Sequence, residues 1–413
     1  MAYLPPGTFH STTKDLVPTT RPADLRSEAA IVTSILSPRP ITGEKNVWAF
    51  WDKGWTSMSP WTQRNVIDWV RRLGSAWDVR VLDKVPGSLW NVRNFVDETK
   101  LPDNFWTMDG IHAGQHASDL VRCLLLYEHG GFWLDVGVVL TRHLDDLWAR
   151  LGDPDDPTSV VAASSSIGNQ VMPDLPISNM LLAARKGNRF IELWHNVFSE
   201  MWRDRTSSQN IRLHPLITHL TPIARPEALA VDVTSEQLAD YLAQMSAAGR
   251  LFALVDPASG WDGPAFYHAH IALIPVEGIY VHNLLTMFSG EREFELLSRP
   301  RLEPVGPEDA DAETFVETVL AKSVWVKLSQ GIMPQPIQLA TIWDRHENSD
   351  SDVKSGTWAE YLRWASVHLD QTVPLTFLTK EQKFKRQSKH IWMAGIMDPI
   401  SSSTPVRENQ ARN

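Results

Sequence analysis

The chain has 413 residues, 43% of them hydrophobic and 21% charged, which are the values of a globular protein long enough to bury a substantial core. Its formal net charge of -10 offers no basic field to gather phosphate backbones, so nucleic acid is not an expected partner. The single cysteine, Cys123, excludes an intrachain disulfide, and its place in the apolar run Cys123-Leu124-Leu125-Leu126-Tyr127 reads as a small buried hydrophobe rather than a nucleophile.

Residues 1–44 are rich in Pro, Thr and Ser and read as an arm laid on the surface. Met1 to Leu16 holds no apolar stretch suited to a signal peptide, and no window reaches the length of a membrane span, so a cytoplasmic protein without a span is expected. Asn46 to Trp51 reads as a buried strand. Pro60 opens a helix through Leu73 with a mostly apolar stripe, and Trp77 to Leu82 alternates as a second strand. This strand–helix–strand order points to an α/β sheet. A helix from about Ser118 to His129 stops at Gly130-Gly131, and Phe132-Trp133-Leu134 is a short buried strand ending at Asp135.

Further on, Ser159 to Ala163 reads as a strand, Met180 to Ala184 and Arg189 to Trp202 as helices, 230–249 as helical and Ile271 to Val281 as extended. Arg299 to Glu313 reads as a loop, Phe315 to Leu328 as helical at first, and Gly356 to Leu369 as a helix. The organisation expected is an arm (1–44), an α/β domain (45–298), a mostly helical C-terminal elaboration packed on it (299–396) and a tail (397–413).

The chemistry concentrates in Ala117 to Gly137. Asp119 and Arg122 are three residues apart and share one helix face, which alone could be an ordinary surface ion pair. Asp135 follows a buried strand, and ligands of open α/β sheets bind at the carboxyl ends of strands, although Asp135 would also suit a turn before Gly137. A carboxylate there can reach a divalent ion on a diphosphate, whose leaving oxygens such an ion stabilises. The 18 Trp residues suit stacking on sugar rings or bases, although most of them are expected to fill the core.

The run Ser118-Asp119, Arg122, Gly130-Gly131, Trp133, Asp135 resembles the signature of the glycosyltransferase superfamily with a DXD sugar-binding motif, in its capsular polysaccharide synthesis branch, which has fungal members. The opening strand Trp48-Ala49-Phe50-Trp51-Asp52-Lys53-Gly54 is similar to that family's tryptophan-rich strand, and the likeness runs from about Val47 to Trp148. The resemblance implies a glycosyltransferase-A-type mixed sheet flanked by helices, a nucleotide-sugar donor and Mn²⁺ or Mg²⁺. It implies that Asp119 and Arg122 hold donor hydroxyls, with Ser118 and Trp133 beside them, that Asp135 is the first Asp of the DXD motif, and that Trp48 or Trp51 stacks on the base.

The second DXD acid is absent, because position 137 is Gly. Candidates for a further metal ligand are His268 and His270, two residues apart on one face of an expected strand, or His282, although any one of them alone reads more readily as a hydrogen-bonded structural histidine. Lys327 could pair with the diphosphate or lie on the surface.

These features lead to a glycosyltransferase, metal-dependent and of the superfamily's often retaining type, with Asp119, Arg122 and Asp135 as its catalytic group. The donor expected is a UDP-sugar and the acceptor a hydroxyl of a small molecule, such as a secondary metabolite, or of a glycan. The alternative is a non-transferase on the same scaffold, either a sugar-nucleotide-binding module or a metal-independent natural-product enzyme. Phosphate-loop, dinucleotide, zincin and serine-hydrolase motifs do not occur.

Overall fold

A computed structural model describes residues 11, 13–165, 174–223, 233–302, 306, 309–328 and 337–409. The first ten residues of the expected arm, the last four of the tail and part of the Arg299–Glu313 segment lie outside these.

The chain enters its main sheet with β1 (Asn46–Phe50), followed by α1 (Pro60–Leu73) and β2 (Asp78–Leu82). Helix α1 begins after Ser59 with Pro60 in its first turn and ends at Gly74, so the residue without a usable N–H and the residue with an easy positive φ mark its two ends. Next come α2 (Ala113–His129), β3 (Gly131–Leu134) and the short β4 (Val138–Val139). The turn from α2 into β3 needs glycine on steric grounds. Gly131 has φ +111°, and a Cβ there would stand 2.3 Å from the Asn46 carbonyl oxygen.

The remaining elements of the sheet and site are β5 (Val160–Ser164), β6 (Ile177–Ala184), α3 (Arg189–Met201), α4 (Ala243–Phe252), α5 (Gly263–His270), β7 (Ile271–Ile274), α6 (Val281–Leu285), α7 (Ala310–Lys322), β8 (Val326–Lys327) and α8 (Trp358–His368).

Among the described residues the principal sheet has six strands in the order β7-β5-β6-β3-β1-β2. All run parallel except β6, which is antiparallel to both neighbours. The expected α/β architecture, a mixed sheet with flanking helices, is the one found. Alternate residues of each strand go to opposite faces. Trp48, Phe50 and Trp133 pack with α2, α3 and α4, whereas Val47, Ala49, Phe132 and Leu134 pack with α1. A third apolar cluster, built from α7, α8 and neighbouring turns, carries Trp358, Tyr361 and Trp364 and takes in Trp61 of α1. The buried Arg363–Asp352 ion pair, which Arg64 and Asp68 of α1 extend, joins the same two parts.

Several elements differ from expectation. Met180 to Ala184 belongs to β6 and is not a helix. Its helix-forming residues are overruled because both faces of this central strand are covered, where an unbroken apolar run is the rule. Ile271 to Val281 is extended only to Ile274. The arm contains a strand, Leu16–Pro18, which pairs with Leu369–Gln371, and a helix, Glu28–Leu36. Val406–Glu408 of the expected tail is a strand pairing with His390–Met393. Among the described residues no helix is long and apolar enough to cross a membrane.

Candidate functional site

Strands β1, β2, β3, β5 and β7 all end at the same edge of the sheet, and Asp135 is the first residue beyond β3. Its carboxylate is the hub of a polar cluster. Oδ1 accepts from the Trp133 indole N–H at 2.9 Å and lies 3.3 Å from Arg122 Nη2, while Oδ2 accepts from Lys327 Nζ at 2.7 Å. Burial would raise the Asp135 pKa, but Lys327 and Arg122 outweigh it and hold the group below the ordinary carboxylate value.

Arg122 lies on α2 over the face of Trp133, its guanidinium carbon 4.9 Å from the ring centroid. Nη1 pairs with Asp119 Oδ1 at 3.1 Å, and Nη2 also reaches Ser118 Oγ at 3.3 Å. The helical spacing seen in the sequence therefore does bring Ser118, Asp119 and Arg122 together, and the chain turn at Gly130-Gly131 folds Trp133 and Asp135 back onto them. Asp119 and Arg122 are buried, while the Asp135 side chain keeps 26% exposure and is the acid presented outward.

The structure adds residues that no sequence motif marked. The β5–β6 register shifts between Ala162 and Ala163, and this bulge releases Asn179 and Met180 from pairing. Asn179 Nδ2 donates to Asp119 Oδ1 at 3.0 Å and to Gln244 Oε1 at 2.7 Å, and Gln244 Oε1 also accepts from Arg122 Nη1 at 3.2 Å. His116 Nδ1 stands 3.4 Å from Asp119 Oδ2, one turn before it on α2. The phenols of Tyr241 and Tyr280 are raised in pKa, first by burial and then by nearby carboxylates, those of Asp119 and Asp135 for Tyr241 and that of Asp135 for Tyr280. A helical i, i+3 step could have suggested His116. The others come from distant elements with no spacing rule to connect them.

Lys327 is brought in by β8, which pairs antiparallel with β4 in the register Lys327 to Val138. It therefore joins the Asp135 cluster and is not a free surface lysine. Burial drives His282 down to about 3, and its ring is hydrogen-bonded to the Lys327 backbone. Cys123 is buried and its thiol is raised by that burial, as a structural cysteine would be.

Three expectations are corrected. Trp48 is wholly buried, donates its indole N–H to the Gly130 carbonyl at 2.9 Å and packs against Phe95 and His129, so no face is open to a base. Trp51, just beyond β1 and half-buried, keeps that possibility, and its indole N–H has no partner among the described residues. His268 and His270 lie on helix α5 and not on a strand. They precede β7 and so stand at the sheet edge opposite Asp135. His268 Nε2 is bonded to Gln387 Oε1 at 2.8 Å and His270 Nδ1 to the Pro157 carbonyl at 2.7 Å.

These placements bear on the expected Mn²⁺ or Mg²⁺. A hard divalent ion takes several oxygen ligands. Among the described residues no group of three His, Cys, Asp or Glu is placed to hold one, and both Asp135 oxygens are already engaged by cationic or N–H donors. The residues at Asp135 do not fit a protein-built divalent site.

Residues 27–224 match the family described as capsular polysaccharide synthesis protein. The O-glycosyltransferase braB of Annulohypoxylon truncatum is 37% identical over 96% of this chain and 94% of its own length. The glycosyltransferase afumC of Aspergillus fumigatus is 42% identical over 90% of this chain and 97% of its own. The O-glycosyltransferase PaGT of Phomopsis amygdali is 37% identical over 84% and 88% respectively. With identity of this level along nearly the whole chain, the chain belongs to the same family as these fungal glycosyltransferases.

Proposed function

We propose that this glycosyltransferase moves a sugar from a nucleotide-diphosphate donor, a UDP-sugar, to a hydroxyl group of a small-molecule or glycan acceptor. The observation that carries the reading is the linked row Asp119–Arg122–Asp135–Lys327 at the carboxyl end of β3. Carboxylates accept hydrogen bonds from sugar hydroxyls, and the neighbouring ammonium and guanidinium groups match the charge that develops on a departing diphosphate. Trp51 follows β1, the parallel neighbour of β3, and so lies at the same sheet edge as this row, where an indole face can cover a base.

Two relatives are named O-glycosyltransferases, which supports oxygen as the accepting atom. The test is release of nucleoside diphosphate from a panel of UDP- and GDP-sugars in the presence of hydroxylated small molecules and glycans. Turnover of one donor, lost in Asp135→Asn, supports the reading. Turnover undiminished in Asp135→Asn removes Asp135 from the site.

A further inference from the structure

The chain puts a glycine and a lysine where a two-carboxylate metal motif would put its second acid. A Cβ on Gly137 would stand 2.2 Å from the Leu328 carbonyl oxygen. The Leu328 N–H in turn donates to the Gly137 carbonyl at 2.8 Å. While β4 and β8 pair, no side chain fits at position 137, an aspartate included. The same pairing delivers the neighbouring Lys327, whose Nζ occupies Asp135 Oδ2 at 2.7 Å. Loss of one carboxylate and gain of one ammonium thus come from a single structural feature.

We infer that Lys327 is the cation that meets the donor's diphosphate in place of a divalent metal, so that sugar transfer by this chain needs neither Mn²⁺ nor Mg²⁺. The inference rests on the donor reading above. An ammonium has three N–H donors, and Asp135 takes one of them, which leaves two for phosphate oxygens. Lys327 is 11% exposed and Asp135 26%, so the pair stands at the open side of the cluster and not in the core. Asp135 then acts as the anchor that holds the ammonium in place, and Arg122 supplies a second positive charge nearby. A metal bound to Asp135 would have to displace Lys327, and the other acid of the cluster, Asp119, is buried and already held by Arg122.

In the transfer, the bond from the anomeric carbon to the phosphate oxygen breaks and its electron pair stays on that oxygen. A bond from the anomeric carbon to the acceptor oxygen forms, and the hydroxyl proton is released to solvent. The charge left on the nucleoside diphosphate is the charge that Lys327 and Arg122 face.

The experiment is calorimetric binding of UDP and GDP to the full chain, with EDTA and with Mn²⁺. It is run on the native protein, Lys327→Met and Lys327→Arg, with thermal unfolding to confirm that each variant is folded. The expected result is binding of one nucleotide in EDTA within about threefold of its Mn²⁺ value, weakened roughly tenfold or more in Lys327→Met and largely restored in Lys327→Arg. Binding that appears only with Mn²⁺ keeps the donor reading and overturns this inference. Binding in EDTA that Lys327→Met leaves unchanged removes Lys327 from the role. Absence of nucleotide binding in both conditions overturns the donor reading itself, and this inference with it.

Discussion

Arg122 reaches from α2 to Asp135, Nη2 to Oδ1 at 3.3 Å, while its other terminal nitrogen holds Asp119 Oδ1 at 3.1 Å. One side chain thus fixes the distance between the two acids of the site. Arg122→Ala leaves Asp119 buried without its cation, a change that costs about 3–5 kcal/mol when a buried pair is broken. Turnover should fall roughly 10²–10³-fold, the range for removing one preorganised donor from a developing charge. Steady-state rates and denaturant midpoints read the two effects separately. Turnover within a few-fold of the parent would mean that Arg122 only holds the helix.

The two tryptophans of the opening strand should separate by readout. Trp48 is core, so Trp48→Ala should cost about 3–5 kcal/mol of stability. Trp51→Ala should keep the fold and weaken nucleotide binding by about 1–3 kcal/mol, the worth of one base–aromatic stack. Calorimetry showing equal affinity in Trp51→Ala would locate the base elsewhere.

Gly137→Ala tests the close approach of β4 and β8. With the Leu328 oxygen 2.2 Å from the new Cβ, the strands must part, at a cost of about 1–3 kcal/mol. Because Lys327 rides on β8, nucleotide binding should weaken along with stability. Chemical denaturation indistinguishable from the parent would show that the pairing is looser than described.

Glu293, on the helix Gly290–Ser298, is buried against Asn283 Nδ2 at 2.9 Å and Thr286 Oγ1 at 3.1 Å, and burial raises its pKa to about 8. The folded state therefore holds a proton that the unfolded state gives up near the ordinary value of 4.5. Its contribution is fully present below that value and is lost as pH rises from there through about 8. The loss is on the order of a few kcal/mol. Glu293→Gln should flatten this alkaline decline in a series of urea midpoints from pH 5 to about 9. A parallel decline in the variant would assign it to other groups.

The ion-pair network at Asp352 should be sensitive to its buried member. Asp352 is fully buried, and both Arg64 and Arg363 pair with it at 2.5 Å. Asp352→Ala removes the carboxylate that both guanidinium groups share, leaving Arg363 with Asp68 and Arg64 with Asp350, and a loss of up to about 3–5 kcal/mol is expected. A denaturation midpoint within error of the parent would show that water replaces the carboxylate.

Much of the site could be read along the chain because its parts are close in sequence. The helix Ala113–His129, its glycine stop and the strand Gly131–Leu134 follow from periodicity and from the two glycines, and helical spacing alone puts Asp119 beside Arg122. The signature residues therefore needed only one helix–turn–strand unit to meet. Tertiary structure decided what depends on distant segments. Met180 to Ala184 became a strand because both its faces are covered, and the bulge beside it turned Asn179 toward Asp119. His268 and His270 went to the opposite sheet edge because α5 feeds the start of β7 and not its end. Lys327 reached Asp135 across 192 positions only because β8 lies down beside β4. Local propensity and spacing act over a few residues, whereas strand pairing depends on what remains to be buried once the rest of the sheet has formed.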